Sequence, residues 1–475
     1  MSGIDQMVLD DILKSDIGNY IKVIDNNNYN KPKKFYYFDQ KWNVIHNINR
    51  EIMIDHIISI IEKNYKNTNP IYAKMVLSIN KHLSVFLNKL VDDNFEKNLD
   101  TNKFLLGFDD GVYDLKNLIF RKAEQNDYVS LSVGYNYKEY QLDHEYIIEI
   151  KNYFDKMISD GNLKDYSLTM AASWLDGNIK EKIAFWHGDE LSGNIKTARL
   201  FQMAFGDYCY ELPYELLTLK KPHPEIVKCM ENLKGRRFIM SFGNKNENEL
   251  NIGFIKEIIS RDSFFSHRFF CNTSMNVFNL QGNLLMIYDK LPNIQQNDGG
   301  LWRRLRVTPW DNKIDDLLSI DYDELFNKLK GALMWYLLNV YYPKYKNCGL
   351  IEPEKVIQFT SKYKQQIDMI LEYINENLIV TQDQNDFENY NELYATFRCW
   401  YNESYSGKCP YSKREFVDYF IQNKYKIGKH GIHNIKFKNV DDNILNDISN
   451  DIPNGIQNDI SNGIQNGIQN GIQKI

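Results

Sequence analysis

The segment "KIAFWHGDELSGNIKTARLFQMAF" (residues 182–205) decides the fold class, because it joins an apolar run to a glycine-containing loop and then to a helical pattern. Gly188 and Gly193 have the spacing of the phosphate-binding loop G-x-x-x-x-G-K-[ST], but Asn194 and Ile195 stand where that loop has Lys and Ser or Thr. A strand, the N–H groups of a loop and the first turn of a helix together form an anion site. The segment therefore predicts a phosphate loop without the lysine charge and without the hydroxyl that holds Mg²⁺.

Two further apolar runs extend this pattern along the chain. "RRFIMSF" (236–242) and "NLLMIY" (283–288) predict strands, and helical stretches alternate with them between residues 145 and 315. Alternating helices and strands are typical of an α/β fold. In such sheets ligands bind beyond the carboxyl ends of the strands, so we expect the functional site there.

Composition excludes several classes of protein. The chain has 475 residues, 43% of them hydrophobic and 25% charged, and a net charge of −6, so any nucleic-acid contact must be local. Its six cysteines include no C-x-x-C pair, which predicts free thiols in a reducing compartment. There is no secretory signal and no long apolar run, so we expect a soluble, intracellular protein without a membrane span.

Three motifs carry a family resemblance. "FGDYCYELPYELLTLKK" (205–221), "NENELNIGFIKEI" (246–258) and "NDGGLWRRLRVTPW" (297–310) resemble the superfamily 3 helicase domain of the poxvirus-type primase-helicases of large nucleo-cytoplasmic DNA viruses. "FDDGVYDL" (108–115) is similar to the N-terminal accessory segment of that family. The resemblance covers about residues 30–440. It implies a AAA+-like P-loop core, a hexameric ring that moves along DNA in the host cytoplasm, and ATP with Mg²⁺ at subunit interfaces.

The same resemblance marks the chemical positions of the nucleotide site. Asn194 and Ile195 take the places of the family's loop Lys and Ser or Thr, Gly243 the place of its catalytic Glu, and Asp289 in "IYDKLP" the place of its Asn. A glycine can neither hold Mg²⁺ through water nor polarise the attacking water, and a carboxylate repels a phosphate. The resemblance therefore implies a degenerate ATP site.

Two arginines lie where the family has its arginine finger. Arg303 and Arg304 in "GLWRRLRV" would reach the nucleotide of the neighbouring subunit, and such a residue contributes roughly 10³–10⁵ in rate. From the residues alone, the favoured interpretation of these arginines is a strand edge that forms salt bridges or faces solvent.

The segment 385–440 contains two helical stretches followed by the strand-like "GIHNIKFKNV" (431–440), which is the order of the winged helix that the family carries here. It is locally basic through Lys413, Arg414, Lys424, Lys426, Lys429, Lys436 and Lys438. We expect DNA contacts above all from Lys413, Arg414, Lys424 and Lys429. The alternative is a solvated face. No metal site is predicted, because His430 and His433 lack a third ligand.

The predicted organisation has six parts, in chain order. They are an N-terminal accessory α+β region (1–100), a β-rich segment (101–144), the AAA+-like core (145–315), a helical lid and linker (316–380), a winged-helix-like domain (381–440) and a tail (441–475). The tail repeats N-[DG]-I-[SPQ] seven times, which predicts disorder. The family's primase module would precede the first part, and we expect none in this chain.

Three functions remain open at this point. The first is a non-catalytic ring subunit or regulator of an active paralogue, to which the chain supplies its arginine. The second is a divergent but active DNA-dependent ATPase or helicase. The third is a DNA-binding scaffold that uses the winged helix.

Overall fold

The structure, a computed structural model, describes most of the chain. The described residues are 17–24, 34–45, 50–65, 90–92, 94–218, 229–243, 250–260, 278–292, 294, 299–314, 320–366, 368–381, 383, 385–405, 409 and 411–438. They form two compact units, Met1–Lys364 and Gln365–Ile475. The repetitive tail and its predicted disorder lie outside the described residues.

The first unit begins with a small antiparallel sheet. Its elements are β1 Ile21–Ile24, β2 Lys34–Asp39 and β3 Lys41–Ile45, followed by helices α1 Arg50–Tyr65 and α2 Phe95–Asn98. Gln40 takes a left-handed φ of 60° in the tight turn between β2 and β3. Trp42 packs edge-on against Phe95, with ring centroids 4.6 Å apart.

A second antiparallel sheet follows and contacts the central part of the unit. It contains β4 Leu105–Phe108, β5 Gly111–Asp114 and β6 Ile119–Arg121. The N–H of Gly107 donates to the Tyr208 hydroxyl at 2.7 Å, and a Cβ at Gly107 would lie 2.2 Å from the Leu131 carbonyl oxygen. The glycine thus permits the close approach of the second sheet to Tyr208.

The centre of the unit is a five-stranded parallel sheet in the order β11-β7-β10-β9-β8. The strands are β7 Ile183–His187, β8 Cys209–Glu211, β9 Phe238–Phe242, β10 Asn283–Tyr288 and β11 Leu305–Pro309. The α/β fold and the three strands predicted from the apolar runs are confirmed. Because all five strands run in one direction, their carboxyl ends lie at one edge, here called the carboxyl edge, and their amino ends at the opposite amino edge.

Helices pack on this sheet through their apolar sides. They are α3 Glu145–Met157, α4 Gly161–Ser173, α5 Asn194–Phe205, α6 Tyr214–Thr218, α7 Ile252–Ile258, α8 Gly299–Arg304, α9 Tyr322–Tyr336, α10 Tyr342–Cys348 and α11 Glu354–Gln366, with a π-helical turn Leu337–Tyr341 between α9 and α10. Asp160 caps α4 by accepting from the backbone N–H of Asn162 at 2.9 Å, which satisfies a donor in the first turn. Trp174 stacks on Phe238 of β9 with ring centroids 4.8 Å apart.

The second unit has its own core. Its elements are α12 Met369–Asn377, β12 Leu378–Val380, β13 Phe387–Asn389, α13 Tyr390–Ser404, α14 Lys413–Gln422, β14 Lys426–Ile427, β15 Gly431–His433 and β16 Ile435–Phe437. Phe397 stacks on Phe416 with centroids 4.7 Å apart, and α12, which the sequence assigned to the lid, contributes the buried Tyr373. The order of two helices followed by strands was predicted, and its interpretation as a winged helix stays a prediction.

Among the helices that the structure describes, none is both long enough and apolar enough to span a bilayer.

Candidate nucleotide site

The loop between β7 and α5 keeps the backbone geometry that its two glycines allow. The N–H of Gly188 donates to the Tyr288 carbonyl at 3.1 Å, and a Cβ at Gly188 would lie 2.6 Å from the Trp310 carbonyl oxygen. Gly193, at the start of α5, has a φ of +80°, and a Cβ there would lie 2.5 Å from Met157 Sδ. Side chains fit at neither position, so both glycines are required by the fold of the loop.

Inside the loop, the Asn194 side chain binds the loop's own backbone. Asn194 is only 1% exposed; its Nδ2 donates to the Gly188 carbonyl at 3.4 Å, and its Oδ1 accepts from the N–H of Ile195 at 2.6 Å. The N–H of Ser192 donates to the Asp189 carbonyl at 3.1 Å. Such first-turn and loop donors are the ones that bind phosphate at a helix N-terminus. In this chain several of them are already satisfied by the loop itself.

The charges beside the loop are also unsuited to a phosphate. Asp189 and Glu190 are exposed within the loop, and the half-buried Asp289 follows the neighbouring strand β10. The Lys196 ammonium lies over the Tyr322 ring, 4.8 Å from its centroid, although Lys290 next to Asp289 is exposed. Carboxylates beside a bound phosphate would repel it.

Gly243 and Asp289 follow β9 and β10, so they lie at the same edge of the sheet as the loop. Gly243 follows β9, and its N–H donates to the Ile287 carbonyl at 2.8 Å. A Cβ at Gly243 would lie 2.1 Å from Cδ1 of Tyr288, whose ring is buried. Burial raises the pKa of the Tyr288 hydroxyl far above its ordinary value, so the ring stays neutral. The Tyr288 ring therefore occupies the space in which a glutamate side chain would begin.

The residues present do not fit ATP with Mg²⁺. The hydroxyl of Thr197 donates to the Gly193 carbonyl at 3.0 Å and lies 3.2 Å from the Tyr153 hydroxyl, so it is already bonded on both sides. Within the described part of the chain, no group of three or more His, Cys, Asp or Glu side chains is arranged to hold a metal ion. We therefore derive no hydrolytic step through this site.

Arg303 and Arg304 lie at the amino edge, opposite the loop. They end α8 and directly precede β11, whose five residues span about 13 Å at 3.3 Å per residue. Arg303 is exposed, and no described residue pairs with its guanidinium; Arg304 Nη1 donates to the Gly300 carbonyl at 3.2 Å. Neither arginine can act on the loop of its own chain.

The third arginine of the motif has a structural partner. Arg306 Nε donates to Glu352 Oε2 at 2.5 Å, and Lys182 Nζ lies 3.5 Å from the other oxygen of the same carboxylate. Arg306 is therefore held in an ion pair with Glu352 at the edge of the sheet.

In the second unit the predicted basic residues are exposed. Lys413 and Arg414 begin α14, Lys424 follows its end, and Lys429 lies in the turn between β14 and β15. The Arg414 side chain is 91% exposed, whereas Lys413 Nζ donates to Asn391 Oδ1 at 2.5 Å. Residues 411–438 contain seven basic and two acidic side chains, whereas residues 365–405 contain one basic and eight acidic. Among the described residues of this unit, positive charge is thus concentrated in α14 and the strands that follow it.

Sequence reasoning missed one buried cation at the amino edge. Arg237, which precedes β9, is 1% exposed, and it donates to the carbonyls of Lys103, Asn102 and Leu105 at 2.5, 3.0 and 3.2 Å. Burial lowers the pKa of its guanidinium. The available signal was the pair Arg236–Arg237 directly before an apolar strand, since a charged residue adjoining a buried strand needs partners.

Comparisons with known proteins agree with the resemblance read from the motifs. Residues 21–160 match the family model described as "D5 N terminal like". A protein named as a "putative helicase" from Acanthamoeba polyphaga mimivirus is 29% identical over 69% of this chain. A second protein named as a "putative helicase", from Invertebrate iridescent virus 6, is 25% identical over 70% of this chain. A "putative primase" from African swine fever virus is 22% identical over 66% of this chain. The resemblance to viral D5-type primase-helicases is confirmed.

The match covers only part of each relative. This chain spans 36% of the mimivirus protein, 38% of the iridescent virus protein and 35% of the African swine fever virus protein. Among solved structures, the apo C-terminal region of NrS-1 aligns over 92% of this chain with a TM-score of 0.45 and 11% identity. A likeness this weak supports no argument about function.

Proposed function

We propose that this chain is a helicase-like protein of viral DNA replication whose own ATP site is inactive, and that it acts as a ring subunit or regulator of an active primase-helicase. The observation that carries the proposal is the buried Asn194, whose side chain bonds to Gly188 and Ile195 within the loop. Loss of one charge-stabilising group costs about 10²–10³ in rate. Here the lysine, the Mg²⁺ hydroxyl and the catalytic carboxylate are all replaced, so little turnover is expected.

The arginines support the ring role. Arg303 is exposed and stands at the edge opposite the loop, where it can serve only a site on another molecule. In a head-to-tail ring, each subunit contacts its two neighbours through two different surfaces. The surface that carries Arg303 in one subunit can then face the loop of the adjacent subunit. A subunit with an inactive loop and an available arginine can therefore complete the site of an active neighbour.

The test is the ATPase rate of an active viral primase-helicase measured with and without this chain. We expect the rate to change on mixing and the change to be lost with Arg303→Gln combined with Arg304→Gln. Lys182→Gln, at the same edge but paired with Glu352, is the matched control and should keep the effect. An unchanged rate, or the same change with the double variant, contradicts the proposal.

The same assay tests the alternative of an active, divergent ATPase. The pure chain with ATP, Mg²⁺ and single-stranded DNA should show no turnover. DNA-dependent turnover that disappears with Arg303→Gln would make the chain a motor, and our interpretation of Asn194 and Gly243 would be wrong.

A second candidate, a DNA-binding scaffold, is favoured by the charge separation in the second unit. Basic side chains that neutralise phosphates release counterions, so binding should weaken steeply with salt. Replacing Lys413, Arg414 and Lys429 by Gln should lower affinity for duplex DNA and reduce the salt slope by roughly one for each phosphate that is no longer neutralised. Gln replacing Lys328 and Lys344, exposed lysines of the first unit, is the control. Unchanged DNA affinity in the triple variant would exclude this surface.

A further inference from the structure

A polar pocket of about 370 Å³ opens at the amino edge, away from the loop site. Four separate parts of the chain line it: Lys103 before β4, Asp176, Asn178, Ile179 and Lys180 before β7, Leu280 before β10, and Tyr345 on α10. Small-molecule sites commonly have volumes of about 300–1,000 Å³ and combine apolar walls with a few polar groups. The pocket has a volume within this range, but its lining is more polar, with charged or amide side chains at Lys103, Asp176, Asn178 and Lys180.

Positive charge predominates in the pocket. Lys180 Nζ lies 2.5 Å from Asp176 Oδ1 and 4.8 Å from the centroid of the Tyr345 ring, so this ammonium is fixed in position. Asp176 is 6% exposed and balances one lysine. Lys103 is half-buried, and no described residue bonds to its ammonium. One cation of the lining is therefore left without a counter-charge.

Arg237 adds a further buried cation behind the pocket. Gly177, between the lining residues Asp176 and Asn178, lies against this guanidinium, because a Cβ there would be 2.1 Å from Arg237 Nη1. Arg237 bonds to backbone carbonyls, and no carboxylate of a described residue pairs with it. The carboxylates of Asp100 and Asp176 act on the guanidinium through their charge without pairing with it, and they bond instead to Ser130 and Lys180.

Two buried polar atoms beside the pocket lack partners among the described residues. They are Arg237 Nε and Gln281 Oε1, on side chains 1% and 4% exposed, and Gln281 adjoins the lining residue Leu280. A buried cation without a counter-charge is costly, and an anion in the adjacent pocket would offset that cost.

We propose that this pocket binds a small phosphate-bearing molecule of mononucleotide size. The ammonium groups of Lys103 and Lys180 contact the phosphate, the field of Arg237 stabilises it, and Ile179, Leu280 and Tyr345 cover the less polar part of the ligand. The site joins the accessory segment, through Lys103, to the parallel sheet, so its occupancy would stabilise that junction. It is separate from the degenerate loop and does not depend on the ring proposal.

The test is calorimetric titration of the full chain with AMP, with adenosine as the neutral probe. We expect AMP to bind, adenosine to bind at least about tenfold more weakly, and Lys103→Gln to reduce AMP affinity at least about tenfold, since hydrogen bonds to charged groups contribute about 1.5–3 kcal/mol. Lys182→Gln, a lysine of the same edge outside the pocket, is the matched control and should keep full affinity. Tyr345→Leu provides a second pocket variant if Lys103→Gln does not fold.

Four outcomes would overturn the proposal. They are no binding of AMP, adenosine binding as tightly as AMP, unchanged AMP affinity in both pocket variants, or a chain that binds single-stranded oligothymidylate but does not bind AMP. A loss of AMP binding with Asn194→Ala but not with Lys103→Gln would instead place the nucleotide in the loop. That last result would contradict both this proposal and the proposal that the loop site is inactive. The four outcomes named first would not affect the ring proposal.

Discussion

The carboxyl edge and the amino edge of the parallel sheet differ in their backbone shape and in their charged side chains. At the carboxyl edge the loop has its glycines and its backbone path, the Asn194 side chain bonds inside the loop, and the Tyr288 ring packs against Gly243. The amino edge contains two arginines: Arg237 is buried and donates to backbone carbonyls, and Arg303 is exposed. The carboxyl edge therefore has the backbone shape of a phosphate loop, whereas the amino edge has the arginine side chains.

The physical reason is that shape and chemistry depend on different atoms. The loop's path depends on glycines that admit no Cβ, and the sheet beneath depends on buried apolar strands, so both are maintained by stability alone. A catalytic lysine or glutamate contributes little to stability and can be replaced without loss of the fold. Substitutions at the two edges should therefore have effects of very different size.

The largest effect is expected at the amino edge. Arg237→Gln should lower the free energy of unfolding by about 3 kcal/mol or more, because it removes a buried side chain and leaves several carbonyls of residues 102–105 without a donor. Urea unfolding of the full chain followed by Trp fluorescence measures this, since six of the seven tryptophans lie in the first unit. A loss below about 1 kcal/mol would mean that those carbonyls find other donors.

The next effect is expected at the carboxyl edge. Gly243→Ala should cost about 1–3 kcal/mol, since its Cβ would overlap the Tyr288 ring. The cost should shrink in a Tyr288→Leu background, which a double-mutant cycle detects. Gly253→Ala is the matched control: it lies in α7, its Cβ would meet only Asn251 Oδ1 at 3.6 Å, and it should be neutral or stabilising by about 0.5–1 kcal/mol.

A smaller effect is expected inside the loop. Asn194→Ala should cost about 1–2 kcal/mol in the same unfolding assay, because the N–H of Ile195 loses its partner. Asn327→Ala, whose side chain is exposed on α9, should change the free energy of unfolding by less than about 0.5 kcal/mol. If Asn194→Ala were neutral, the loop would not depend on its internal bonds, and its donors would be available to a phosphate.

The smallest effect on stability is expected at Arg303. Arg303→Gln should change the free energy of unfolding by less than about 0.5 kcal/mol, because the guanidinium is exposed and unpaired within the described structure. This variant is the matched control for Arg237→Gln. A large destabilisation would show that Arg303 serves the fold and would remove the basis for its action on a neighbour.

The sequence predicted those features of the fold that depend on residues close together along the chain. The strands at 183–187, 238–242 and 283–288, the helix after the loop and helices α13 and α14 of the second unit follow from runs and periods of neighbouring residues. The glycine spacing also indicated the loop, and the strand ends indicated that Gly243 and Asp289 would share its edge. These are local signals, and local propensity is readable from a short window.

The contents of the site could not be read in this way. That Tyr288 fills the space beside Gly243, that Asn194 bonds back to Gly188, and that Arg237 bonds to carbonyls some 130 residues earlier are results of packing. The sequence by itself determined the elements, their order and the residues that follow the loop glycines, because each is a property of consecutive residues. Only the tertiary structure decided which side chains fill the space around the loop and which cations are buried, because contacts between distant segments depend on the whole packed core.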